Sequence, residues 1–104
     1  MNKSQVQRLR VLFGQLSARK EEVTVNAQMR ALEMLPESEQ DSIMRLFARD
    51  TAAESVPEGA TEPELEALEH WRQLLEGDEF KLEREVVATA ELALRAIGVL
   101  YGQR

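Results

Sequence analysis

The sequence predicts an all-α protein: four to five helices in a small bundle, with long helices at its N-terminal and C-terminal ends. Three observations carry that expectation. Apolar residues recur at three- and four-residue spacing through most of the chain, the period of one helix face. Only five of the 104 residues are aromatic (Phe13, Phe47, Trp71, Phe80, Tyr101), so the core must come mainly from Leu, Val, Ala and Met, which suits packed helices better than sheets. The three prolines stand either between the periodic stretches or in a first helical turn, where a missing N–H costs nothing.

The first helical region runs from Ser4, a candidate N-cap, to Leu35. Val6, Leu9, Phe13, Leu16, Val23, Ala27 and Met34 follow helical spacing, with Lys20 and Arg30 interrupting at two inside positions. Val25, Met29 and Leu32 form a second set on a neighbouring face. Gly14 and the β-branched run Val23-Thr24-Val25 weaken continuity a little. One long, kinked helix is the preferred reading, with two helices meeting near 17–22 as the alternative.

Pro36 suits the first turn of a second helix over Glu37–Arg49. Acids gather at its positive end and Arg45 and Arg49 at its negative end, with Ile43, Leu46 and Phe47 as the apolar stripe. Residues 51–61 read as an internal linker within one helical domain spanning 1–104. Thr61 with Glu64 matches a capping box, and Pro63 falls in the first turn of the third helix. That helix carries Leu65, Leu68, Trp71 and Leu75 on one face and stops at Gly77. Asp78 is expected to cap the last helix, which runs to about Tyr101.

The last helix is apolar on nearly every side. Phe80, Val87, Ala90, Leu94, Ile97 and Tyr101 make one stripe; Leu82, Val86, Ala93, Ala96 and Leu100 make a second; Ala88, Leu92 and Val99 add a third. A helix apolar on one stripe packs on one neighbour, whereas one apolar nearly all round must be surrounded. An interface, with a second copy or another protein, covers it more easily than a core of this size.

Charge narrows the function. The net charge is −6, yet the first twenty residues carry five cations and no acid, and 54–69 holds six acids and no cation. The overall sign argues against general DNA or RNA binding, and no helix-turn-helix pattern follows the basic stretch. The acidic run admits a DNA-mimicking decoy, but a solvated linker and helix face is the simpler reading. With no cysteine there is no disulfide, thiolate metal site or cysteine nucleophile, which fits a reducing compartment. MNKSQVQRLRVLFGQLSARK lacks the apolar core of a secretory signal. Residues 86–102 are too short to span a bilayer and carry Glu91 and Arg95. A cytoplasmic protein without a membrane association is expected.

Catalytic signatures are sparse. His70 is the single histidine, with Glu66 four residues earlier, and the Glu-x-x-His of di-iron bundles is missing because position 67 is alanine. A surface histidine beside Trp71 is the plain reading. Glu66 with Glu69, and Glu79 with Glu83, resemble the magnesium-holding carboxylates of all-helical nucleotide pyrophosphohydrolases, but such pairs arise readily among 19 acids. The serines have no histidine in a nucleophilic frame, and the glycines form no phosphate loop. Gly98 and Gly102 make a Gly-x-x-x-Gly that either admits a neighbouring backbone or frays the helix end. No catalytic residue, metal or cofactor is expected.

In organisation the chain resembles the small antiactivators of LuxR-type quorum-sensing regulators, of the TraM and QslA kind. The resemblance rests on the long N-terminal helix, the proline break at LPESEQ and the closing ELALRAIGVLYGQ. It implies a protein that binds a transcription regulator and prevents its dimerisation or DNA binding. The residues themselves offer two surfaces for such a contact: Leu92, Val99 and Tyr101 with Arg95 as polar selector, and Val6, Leu9, Leu12 and Phe13 flanked by Arg8 and Arg10. An intrahelical pair between Glu91 and Arg95 is the modest alternative use of that arginine. A homodimer is expected for the free protein. The alternatives are a magnesium-dependent nucleotide hydrolase and a structural subunit of a helical assembly.

Overall fold

The computed structural model describes residues 2–49 and 59–102, with the Tyr101 side chain outside the description. Among the described residues the protein is all-α. It comprises α1 (Lys3–Met34), α2 (Glu37–Arg49), α3 (Glu62–Glu76) and α4 (Lys81–Gly102), with one 3-10 turn over Asp78–Phe80 before α4. Most of the expected linker, 51–58, lies outside the described residues.

α1 is a single helix, and Gly14 does not interrupt it. Its cap is Asn2, not Ser4. The Gln5 amide donates to Asn2 Oδ1 at 2.9 Å and the Asn2 amide donates to Gln5 Oε1 at 3.1 Å, a reciprocal arrangement that satisfies two otherwise orphaned donors. Pro36 stands just before α2, not in its first turn; its carbonyl accepts from Glu39 and Gln40. The Gln40 side chain reaches back to the Leu35 carbonyl at 2.8 Å. This closes the α1–α2 corner with one side chain.

The Thr61–Glu64 capping box forms as read, with Pro63 in the first turn. Gly77 ends α3, although not in a left-handed conformation: its φ is −77°. A Cβ there would approach the Leu74 carbonyl at 3.2 Å, so crowding favours glycine at that stop. Asp78 does not cap α4 directly, because the 3-10 turn intervenes.

The chain divides into two compact units, one formed by residues up to Ala27 and from Lys81 onward, the other by Gln28–Phe80. In the Gln28–Phe80 unit, α2 packs on α3. Leu35, Ile43 and Ala67 form its core, with Leu32, Leu68, Trp71 and Leu74 packed against them. Ala31, Leu46 and Phe80 are also buried. Trp71 stacks edge-on against Phe47 at 6.1 Å between ring centres, and its indole N–H donates to the Gln28 carbonyl at 3.0 Å. Tryptophan joins a core while keeping its one donor satisfied.

Several apolar positions fall outside the cores. Val25, Met29 and Met34 of α1 and Leu65 of α3 are exposed. The covered positions on α1 are Ala27 and Ala31, in line with Leu35. Small side chains at i, i+4 let neighbours approach closely, so the most buried positions of α1 are alanines, beside half-buried Val6, Leu9, Leu16, Val23 and Leu32.

In the other unit, Ala27, Ala90 and Ile97 are buried and Val87 and Leu94 half-buried. The inward stripe of α4 is therefore the first of the three read from the sequence, and most of the other two stays open.

Candidate interaction site

α4 owes its open face to composition. Between Val86 and Gly102 the charged residues are Glu91 and Arg95. Glu91 is drawn to α1, where Lys20 Nζ lies 3.2 Å from its carboxylate. That contact takes the place of the alternative Glu91–Arg95 pair and gives a reason for a lysine at an inside position of α1. Arg95 is exposed and has no ion-pair partner among the described residues. Leu92 and Val99 are 64% and 63% exposed, and Leu82 and Leu100 are also exposed. Ala88, Leu92, Ala96 and Val99 recur at four-, four- and three-residue spacing, so they share one side of the helix. At roughly 1.5–3 kcal/mol for each buried Leu or Val, covering this side is strongly favourable.

The second expected surface is more covered. Val6 and Leu9 are half-buried, while Leu12 and Phe13 remain 44% and 42% exposed. Arg8 and Arg10 are exposed. No ion pair among the described residues involves Lys3, Arg8, Arg10 or Arg19. Tyr101, expected in the first surface, lies outside the described side chains.

Neither Gly98 nor Gly102 is approached within the chain. A Cβ at either position would meet nothing within 4 Å. Among the described residues, the Gly-x-x-x-Gly therefore admits no neighbouring backbone.

The acid–histidine features resolve into local pairs. His70 Nδ1 lies 2.8 Å from Glu39 Oε1, which joins α3 to α2, and the ring is half exposed. Glu69 and Glu76 both hold Arg72. The arginine's hydrogen bonds draw the Glu69 carboxyl below its usual range and raise the guanidinium. No group of three or more His, Asp or Glu residues is placed to hold a metal ion among the described residues.

One charged group escapes sequence reading. Glu64 is buried, and Arg49 Nη2 donates to its two oxygens at 2.5 and 2.6 Å. The Thr61 amide donates to the same carboxylate at 2.9 Å. That backbone bond foremost, with help from Arg49 and the Thr61 hydroxyl, holds the Glu64 carboxyl below its ordinary value despite burial. The cavity beside this pair, about 610 Å³, is lined by Ser42, Arg45, Ala48, Arg49, Thr61 and Pro63. Its anionic position at the start of α3 is already filled by Glu64. The capping motif gave half of this arrangement, and Arg49 as its partner had no local signal.

Comparison of the chain with protein families, with characterised proteins and with solved structures finds no match. No helix among the described residues is long and apolar enough to cross a membrane.

Proposed function

We propose that this chain is a non-enzymatic regulator that works by binding another protein. The observation that supports this reading best is the open side of α4, where Leu92 and Val99 stand exposed beside the unpartnered Arg95. An apolar centre with a charged edge is the composition of a protein contact surface, the apolar part supplying affinity and the charge selecting the partner. The resemblance to the antiactivators of LuxR-type regulators extends the reading. The partner is then a transcription regulator, occluded so that it neither dimerises nor binds DNA. The free chain is a homodimer in the cytoplasm, its α4 side covered by a second copy until the partner displaces it.

The test is affinity capture of the tagged protein from lysate of its own source, with mass spectrometry of what remains bound. A transcription regulator recovered in near-equal amount, and released from its DNA site when the protein is added, supports the reading. Recovery of enzymes or structural proteins alone, or of the protein by itself, rejects it.

A further inference from the structure

A different face, on α1, bears on the chemistry of the partner. Arg8, Val11, Leu12, Gln15 and Arg19 follow one another at three-, one-, three- and four-residue steps, so a straight helix places them along one side. All five are exposed, with Val11 at 51% and Leu12 at 44%. Arg8 and Arg19 have no ion-pair partner among the described residues. Eleven residues separate them, roughly 16 Å along a helix axis at 1.5 Å per residue. No acid lies between Met1 and Lys20. The face is thus two aliphatic side chains between two free guanidinium groups.

We propose that this face binds an acidic amphipathic helix of a partner protein, with two leucine-like side chains on Val11 and Leu12 and carboxylates on Arg8 and Arg19. The inference deepens the regulator reading and rests on it for the partner being a protein. Charge decides against the other polyanions. A bilayer or a nucleic acid presents negative charge over an area larger than the molecule, and would repel a chain of net charge −6 whose Gln28–Phe80 unit has four cations against fourteen acids. A carboxylate pair on a protein is local and meets only the arginines. Guanidinium groups grip carboxylates in a paired, planar geometry, and fixed spacing adds register to affinity. Helix-on-helix docking through spaced anchors is a common mode of protein recognition.

The probe is a synthetic helical peptide carrying two leucines midway between two glutamates eleven residues apart on the same side. Its binding to the full chain is followed by fluorescence anisotropy, beside a peptide with lysines in place of the glutamates. The glutamate peptide should bind, more weakly as salt rises, and the lysine peptide should not. The double variant Arg8→Glu, Arg19→Glu should weaken binding at least about tenfold, the effect of roughly 1.4 kcal/mol. Lys3→Glu with Lys81→Glu changes net charge by the same amount without touching this face and should leave affinity within about twofold, and Arg8→Lys with Arg19→Lys should retain part of it. Circular dichroism checks that each variant stays helical. The idea fails if the glutamate peptide does not bind, or if both charge-reversed pairs weaken it equally. It fails too if phosphatidylglycerol vesicles bind in its place, or if the Arg8/Arg19 reversal acts by dispersing a homodimer. Lysate capture with the same variants separates the two readings. A regulator retained by the Arg8/Arg19 reversal sinks this inference alone; a bound peptide without a captured regulator sinks the regulator reading alone.

Discussion

The two compact units use their cations in opposite ways. In Gln28–Phe80 every arginine is engaged: Arg30 lies over the Phe80 ring at 4.9 Å, Arg45 donates to the Ser42 hydroxyl, Arg49 holds Glu64, and Arg72 bridges Glu69 and Glu76. Its largest buried side chains, Phe80, Ile43 and Leu46, are fully enclosed. The unit formed by the two ends of the chain has nine cations against five acids. It leaves Lys3, Arg8, Arg10, Arg19 and Arg95 without ion-pair partners among the described residues, and Leu12, Phe13, Leu92 and Val99 exposed. The difference teaches where stability ends and availability begins. One unit engages its arginines internally and the other leaves most of its cations open, while both keep large apolar side chains exposed, Met29, Met34, Met44 and Leu65 among them in Gln28–Phe80.

The largest effect should come from breaking the enclosed unit. Phe80→Ala removes a fully buried ring and should cost about 3–5 kcal/mol in urea denaturation. Leu92→Glu, on the open unit, should leave stability within about 0.5 kcal/mol and helicity unchanged while abolishing complex formation. If Leu92→Glu also unfolds the chain, the contrast between the units is wrong.

A middling effect belongs to the α3 cap. Thr61→Ala should cost about 1 kcal/mol by removing a capping oxygen. The pH profile sharpens this. Glu64 has a folded carboxyl below its ordinary 4.5, so its contribution is present in full above that value and is lost as pH falls through the folded one. Acid titration of stability should be shallower in Thr61→Ala, because part of that depression is gone.

The smallest effect concerns the glycines. Gly14→Ala should stabilise the chain by about 0.5–1 kcal/mol, since the site is helical with open space around it. Gly98→Ala should do the same for the free chain. A Gly98→Ala variant that dissociates more readily in sedimentation would instead place a second copy against that side of α4.

Much of the fold was legible because helix signals are local. The range Glu37–Arg49, the Thr61–Glu64 box and the apolar spacing that joins Ala90 to Ile97 on α4 can all be read from neighbouring residues. The face of α1 was legible in part: Val6, Leu9, Leu16, Val23 and Ala27 are buried or half-buried as their spacing predicts, whereas Phe13 and Met34 are exposed. Val25, Met29 and Met34 look like core by hydrophobicity yet are exposed, because which side of a helix is covered is a property of two helices rather than one. Glu64 is the same lesson in charge. Its burial depends on Arg49, fifteen residues earlier and on another helix. At the candidate surface the exposure of Leu92 and Val99 was legible as an excess of apolar residues on α4. The diversion of Glu91 to Lys20, which leaves Arg95 without that partner, needed the tertiary contact.

Trp71 is the single tryptophan, and its ring is fixed by Phe47 and by the Gln28 carbonyl, all within Gln28–Phe80. The chain therefore carries an optical probe confined to its enclosed unit. Indole emission reports the melting of that unit. A titration that moves the far-ultraviolet dichroism of an added peptide while the indole spectrum stands still is the optical signature of docking without rearrangement.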